Sequence, residues 1–268
     1  MCIRDSIYAW GAMNLNNCKT AWDSFSKTML IAPQDRQATA SFQITQSDDG
    51  DCEVTPNGAS LLGLTFDAVT FQVEDGTNKR KLEFTVTELV IEHVTSDVSA
   101  VLSHGTDTDM LIVDTLTVRG ADGSGLQANG QFQLADFDSI ATAQSAIAGI
   151  AVSTFNANLI VTPQLLAGIK ADFGKVTRIA LDRALRNVSQ SQLDRASRQE
   201  ILRFCGAAPQ VRGTVAMTVN AQPTVSVWQM VAPFVDLPDD QDEAWLTHAI
   251  GIALSGLTLD LVWKPGRI

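Results

Sequence analysis

Along the first half of the chain apolar and polar residues alternate, the period-two signature of strands with one buried face and one wet face. The clearest run is Leu126-Gln127-Ala128-Asn129-Gly130-Gln131-Phe132-Gln133-Leu134, in which even positions are apolar or small and odd positions carry amides. The same alternation predicts strands at Ala40 to Thr45, through Val69, Phe71 and Val73, and through Leu82, Phe84 and Val86. It continues at Leu89 and Ile91 and from Met110 to Val118. Its phase slips between Val86 and Leu89, which predicts a bulge or a strand that exchanges faces. Asp49-Gly50, Asp75-Gly76 and Asp122-Gly123 separate the runs where tight turns need residues that tolerate positive φ. Strands that follow one another through such turns form an antiparallel meander.

The second half mixes helices into the sheet. Asp138 is placed to cap a helix over Ser139 to Ala148, with Gly149 at its C-terminal end. A strand is expected from Val152 to Val161, after which Thr162 caps a helix that has Pro163 in its first turn and runs towards Gly174. Leu181, Ala184, Leu185 and Val188 form one stripe at helical spacing and Leu193, Ile201 and Phe204 begin another, predicting a helical hairpin from Lys175 to Cys205. Alternation returns from Val211 to Val219, a helix capped near Asp239 to Asp242 carries Trp245, Leu246, Ala249 and Ile250, and Leu257 to Trp263 make a final strand. No stretch has the Pro, Gly and Ser richness of a linker. Residues 7–268 are therefore expected to form a single α+β domain, with a candidate sub-boundary near 136–139. The predicted fold is a long, curved antiparallel meander with several helices packed on one face.

Composition narrows the function classes. The 268 residues are 45% apolar, enough for a substantial core, and contain no apolar run of the ~18–20 residues that a transmembrane helix needs. Nineteen Lys and Arg against thirty Asp and Glu, a formal net charge of −11, argue against nucleic acid as a partner, because phosphate binding requires clustered positive charge. Met1-Cys2-Ile3-Arg4-Asp5-Ser6 matches one reading frame of the transposon-end adapter used in tagmentation libraries. Residues 1–6 are accordingly set apart as an artefact, and the natural N-terminus, with any signal peptide or anchor, is expected to be missing.

Three cysteines then remain. None lies in a C-x-x-C pair, and His93, His104 and His248 lack ligand spacing, so no metal or other cofactor is expected. Cys18 and Cys52 flank a polar stretch; in an oxidising compartment they would close it as a disulfide, and in a reducing one they would stay free thiols. Closure would stabilise the fold by about 3–4 kcal/mol on the chain-entropy argument. Cys205, beside Phe204, reads as a small buried hydrophobe.

Catalytic constellations do not emerge. Gly58-Ala59-Ser60-Leu61-Leu62-Gly63 lacks the spacing of a nucleophile elbow. Gly120-Ala121-Asp122-Gly123-Ser124-Gly125 lacks a phosphate-loop lysine and leads into a strand, so it reads as a hairpin turn. Asp48-Asp49-Gly50-Asp51 has no glutamate at the closing position of a calcium loop and reads as a solvated turn. Glu92 and His93 are neighbours in a predicted strand, which points them to opposite faces. The chain is read as non-enzymatic.

Charge is unevenly placed. Lys175 to Arg203 carries seven basic and three acidic residues, +4 against −15 for the rest. Arg183, Arg186, Arg195 and Arg198 are the candidate basic surface for an anionic lipid or a partner. The competing reading is a solvated helical hairpin, in which Asp182 with Arg186 and Asp194 with Arg198 form i,i+4 pairs. A lipid-binding helix would be expected to add exposed large apolar side chains.

The strand lines Gly63-Leu64-Thr65-Phe66-Asp67-Ala68-Val69-Thr70-Phe71 and Asp114-Thr115-Leu116-Thr117-Val118-Arg119-Gly120-Ala121-Asp122-Gly123 resemble those of AsmA-like and YdgA-like proteobacterial envelope proteins. The runs Arg212 to Val219, Pro223 to Val227 and Leu254 to Leu259 resemble their closing strands. The resemblance implies a β-rich protein, periplasmic or membrane-anchored facing the periplasm, whose sheet meets lipid acyl chains. It brings no catalytic residues. The predicted strands outnumber what three helices can cover, so the apolar face near 66–73, 82–91 and 110–118 is expected to serve a lipid or another envelope protein. Its lining residues would be Phe66, Val69, Phe71, Leu82, Phe84, Ile112 and Leu116. The alternative is a self-contained structural or interaction domain whose apolar faces its own helices cover, since burial by a helix and burial by lipid leave the same alternation.

Overall fold

The alternating segments fold as strands in the computed structural model, which describes residues 16–22, 42–47, 50–57, 65–75, 79–91, 94–105, 108, 110–134, 150–167, 176–207, 212–234 and 242–266. The helix expected at 139–148, the distal half of the one begun at Pro163, the run 58–63 and the Glu92–His93 pair lie outside these residues. Among the described residues there are ten strands: β1 (Phe42–Gln46), β2 (Cys52–Pro56), β3 (Ala68–Asp75), β4 (Lys79–Ile91), β5 (Val94–Gly105), β6 (Met110–Gly120), β7 (Gly125–Leu134), β8 (Ile150–Val161), β9 (Gly213–Ser226) and β10 (Leu257–Pro265). They are hydrogen-bonded in chain order as an open antiparallel sheet. The helical segments are α1 (16–22), α2 (163–167), α3 (Arg178–Arg186), α4 (Arg195–Ala207), α5 (Val227–Val231) with a 3-10 turn Ala232–Phe234, and α6 (Glu243–Ala253). No described helix is long and apolar enough to cross a membrane.

The chain divides into two compact units, Met1–Ala121 with Leu134–Gly149, and Asp122–Gln133 with Ile150–Ile268. In the first unit, cross-strand register stacks apolar residues in rows, because residues opposite one another in a ladder share a face. One row runs Cys52, Phe71, Phe84, Ala100, Leu116, and the next runs Ile44, Val54, Val69, Val86, Val98, Val118. The phase slip appears as a register shift between Val86 and Leu89, where Glu88 adopts φ 51° and its N–H donates to Asp97 Oδ1 at 3.0 Å. The core at the β1–β3 end gathers Cys18, Ala21 and Trp22 of α1 with Phe42, Val54, Phe66 and Phe71. Trp22 meets Phe42 edge-on at 5.3 Å between ring centroids, and Phe42 stacks on Phe66 at 6.0 Å. A disulfide joins Cys18 to Cys52 and so ties α1 to β2.

In the second unit, Leu159, Val215 and Trp263 form one inward row and Phe155, Val219 and Leu259 another. Two close approaches explain two glycines. A Cβ at Gly130 would lie 2.7 Å from the Thr154 carbonyl, and one at Gly213 would overlap the Trp263 ring and the Lys264 carbonyl. The Asp122-Gly123 turn holds Gly123 at φ 82°. Asp122 Oδ1 accepts from the Ser124 N–H (2.9 Å) and hydroxyl (2.5 Å), while Oδ2 accepts from the buried Thr162 hydroxyl at 2.5 Å. Thr162 Oγ1 in turn accepts from the Leu165 N–H at 3.2 Å, so one threonine both anchors the turn and caps α2.

Candidate functional site

Two regions carry the residues singled out in the sequence: the apolar sheet face of the first unit and the helical hairpin of the second. On the sheet face, Phe66 and Phe71 are buried in the unit's own core, and Val69, Leu82 and Phe84 pack against it half-buried. The rows then continue into β5 and β6, where Ala100 is buried and Val98, Leu102, Val113, Leu116 and Val118 are half-buried. Ile112 does not share this face. Val101 lies opposite Thr115 and Leu102 opposite Val113, so Asp114 is an extra residue that inverts the pleat. Ile112 consequently sits opposite Ser103, on the face away from Leu116. The Ser103 hydroxyl, itself buried, donates to the Asp114 carboxylate.

The hairpin is built by its caps. Thr177 Oγ1 accepts from the Ala180 N–H at 3.1 Å at the start of α3, and Asp194 Oδ1 accepts from the Ser197 N–H at 2.6 Å at the start of α4. The amide and hydroxyl hydrogen bonds from Ser197 hold the Asp194 carboxyl below its ordinary range. Asp194 is thus a cap and not the partner of Arg198, whose guanidinium donates instead to the Val188 carbonyl at 3.1 Å. Asp182 does pair with Arg186, at 2.6 Å, and Arg183 pairs with Glu243 at 2.9 Å. Arg195 is exposed at the first residue of α4.

Helix α4 and the turn before it lie along the outer edge of β10 and satisfy part of its backbone. Leu259 N–H donates to the Gln192 carbonyl (2.7 Å), Leu261 N–H to Ser197 Oγ (3.0 Å) and Trp263 N–H to Glu200 Oε2 (3.3 Å). Arg203, held by Glu200 at 2.6 Å, donates to the Trp263 carbonyl. Phe204 closes the contact, edge-on to the Trp263 ring at 5.0 Å. An open sheet edge is a template for pairing with another chain, and this edge is covered in hydrogen-bond detail by a helix.

Two further clefts occur among the described residues, one of about 560 Å³ lined by Gln229, Thr247, His248, Gly251, Ile252 and Ser255, with His248 as its single titratable side chain. The other, of about 550 Å³ between the hairpin turn and β9–β10, has Ser189, Ser191, Gln192, Asn220, Gln222 and Thr258 in its walls and no titratable side chain. Among the described residues no group of three or more His, Cys, Asp and Glu is placed to hold a metal ion. Cys205, expected to be buried, is an exposed residue of α4. Desolvation of its thiol still raises its pKa above the ordinary 9.0, outweighing the lowering by the Arg178 charge. The described residues thus include an apolar sheet face with half-buried aliphatic rows in the first unit and a helix face bearing arginines in the second. Comparison with known proteins adds no relative, since no family model, no curated protein and no solved structure matches the chain.

Ile179 and Trp22 escaped the sequence reading, whereas Phe42 falls in the strand expected at Ala40 to Thr45. Ile179 has a signal in retrospect: it precedes the stripe of Leu181, Leu185 and Val188 by a spacing that places it on the outer side of α3.

Proposed function

We propose that the chain is a non-enzymatic cell-envelope protein, periplasmic or anchored facing the periplasm, that binds or shields lipid on the apolar face of β3–β6. The observation that carries this reading is the continuation of the apolar rows beyond the Trp22–Phe42–Phe66 cluster, into the half-buried Val98, Leu102, Val113, Leu116 and Val118. The compartment follows the likeness of the strand lines to AsmA-like and YdgA-like envelope proteins, and the Cys18–Cys52 bond supports it, since structural disulfides belong to oxidising compartments. A curved sheet with its helices on one face would leave the other strands of that face for acyl chains or another envelope protein.

A second reading, a self-contained structural or interaction domain, is favoured by the burial of Phe66 and Phe71, 6% and 8% exposed, in the chain's own core with Ala21 and Trp22 of α1 and Phe42. Mass spectrometry of organic extracts from detergent-free protein separates the two. Co-purifying lipid, reduced by Leu116→Asp in protein that still folds, is the expected result. No lipid, together with no binding of a hydrophobic dye, replaces the lipid reading with the self-contained one.

A further inference from the structure

Helix α3 presents an outer stripe that its packing does not use. Its inner side buries Ala184 and Leu185, with Leu181 and Val188 in the adjoining core. Ile179, Arg183 and Arg186 follow one another at i, i+4 and i+7 on the opposite side. Ile179 is 66% exposed, more than Ile160, Val231 or Val262, the other large apolar side chains exposed among the described residues. Arg178, Asp182, Arg183 and Arg186 wall an open cleft of about 320 Å³ beside it, three cations to one carboxylate. The Arg183 and Arg186 side chains are 62% and 69% exposed in their pairs with Glu243 and Asp182. Pairs as wet as these contribute at most about 1 kcal/mol, so an incoming phosphate can share or displace the carboxylate. Arg178 makes no ion pair among the described residues.

We propose that this face of α3 docks on the surface of an anionic bilayer, with Ile179 entering the boundary between headgroups and acyl chains while Arg178, Arg183 and Arg186 meet lipid phosphates. Charge complementarity selects the orientation: on a chain of net −11, this face sets Arg178, Arg183 and Arg186 against the two carboxylates of Asp182 and Glu243, so an anionic surface is attracted to it rather than to the acidic remainder. The apolar tip selects a bilayer over a soluble anion, because a free phosphate would use the arginines and gain nothing from Ile179. The docking requires no acyl chain to leave the membrane. It is therefore independent of the lipid reading of the sheet face, and either can fail without the other.

The test is flotation with phosphatidylcholine vesicles, with and without phosphatidylglycerol, at low and high salt. The wild type should float with the anionic vesicles at low salt only. Arg178→Gln and Arg183→Gln should each weaken binding about fivefold, the equivalent of ~1 kcal/mol per cation near the surface. Ile179→Ser, which leaves the charge unchanged, should weaken it about tenfold through lost apolar burial. Arg195→Gln, the same charge change outside the cleft, should alter it less than about twofold. Ile179→Ala repeats the apolar test should serine disturb the helix, and thermal melts verify folding throughout. Equal flotation with both vesicle types, no flotation, or an Arg195→Gln loss as large as that of Arg178→Gln overturns the proposal. An unaffected Ile179→Ser and Ile179→Ala, or full competition by glycerol phosphate, overturns it in favour of a soluble anion.

Discussion

Replacing Ser197 with alanine tests whether α4 seals the edge of β10. The Ser197 side chain is 4% exposed, and its Oγ accepts the Leu261 N–H at 3.0 Å. The substitution leaves that edge amide with no acceptor in a place water reaches poorly, at a cost of about 1–3 kcal/mol. Alanine is the better helix former by about 0.5 kcal/mol, which offsets part of the loss. The net expectation is a destabilisation of at least about 1–2 kcal/mol, because the Ser197 hydroxyl's hydrogen bond to Asp194 is lost as well, while the Ser197 N–H to Asp194 bond, which belongs to the backbone, is kept. Amide hydrogen exchange reads the effect at its source: Leu261 should exchange about 5–30 times faster, while Leu259, held by the Gln192 carbonyl, changes less. A urea midpoint lowered in proportion would complete the result. Unchanged exchange at Leu261 would show that the hydroxyl does not satisfy the edge, and the account of α4 as an edge cover would fall with it.

Other perturbations follow from single contacts. Gly130→Ala places a methyl 2.7 Å from the Thr154 carbonyl and must push β8 away, costing about 1–3 kcal/mol in denaturant unfolding; an unchanged midpoint would contradict the close packing of β7 on β8. Cys52→Ser opens a link of sequence separation 34 and should destabilise the first unit by about 3–4 kcal/mol, with the same loss in wild type under reductant; equal stability of oxidised and reduced protein would reject it. Hydrogen bonds from the Ser124 and Thr162 hydroxyls hold the Asp122 carboxyl below its ordinary 3.8. Its folded pKa lies below the unfolded one, so its contribution is complete above the ordinary range and is lost as pH falls through the folded value. Asp122→Asn should flatten that acid limb in a pH series of unfolding midpoints, and a limb identical to wild type would remove Asp122 as its source.

The strands with large apolar residues at alternate positions were legible because the pleat demands that pattern wherever one face is covered. Strands β2 and β5 were not. In β5 the inward positions include Ala100, which is buried between Phe84 and Leu116, so the bulk that marks the row belongs to its neighbours while serines fill much of its own sequence. In β2 five residues offer only Cys52 and Val54 to the core, too few to show a period. The face of Ile112 was equally hidden. Met110-Leu111-Ile112-Val113 is apolar at four consecutive positions, so it states no phase, and the bulge at Asp114 that fixes the phase depends on pairing with β5. Helix α1 did leave a trace, since Cys18, Ala21 and Trp22 stand at i, i+3 and i+4 and are all buried.

A charge count treats every arginine alike, whereas the fold divides them by what they bind. On α4, Arg203 serves the Trp263 carbonyl through Glu200, and Arg198 serves the Val188 carbonyl. These cations complete the hydrogen bonding of an edge strand and a helix end, and drawing them to a ligand would strip partners from partly buried backbone. On α3, Arg183 and Arg186 bind exposed carboxylates that water replaces at little cost, and Arg178 binds none among the described residues. Cations free to exchange partners are thus concentrated on α3, the same helix that exposes Ile179. The arginines of the hairpin therefore fall into two populations, Arg198 and Arg203 held on backbone carbonyls, and Arg178, Arg183, Arg186 and the exposed Arg195 available at the surface. Any association driven by this segment should respond to substitutions on α3 and, among the arginines of α4, register Arg198 and Arg203 chiefly through stability.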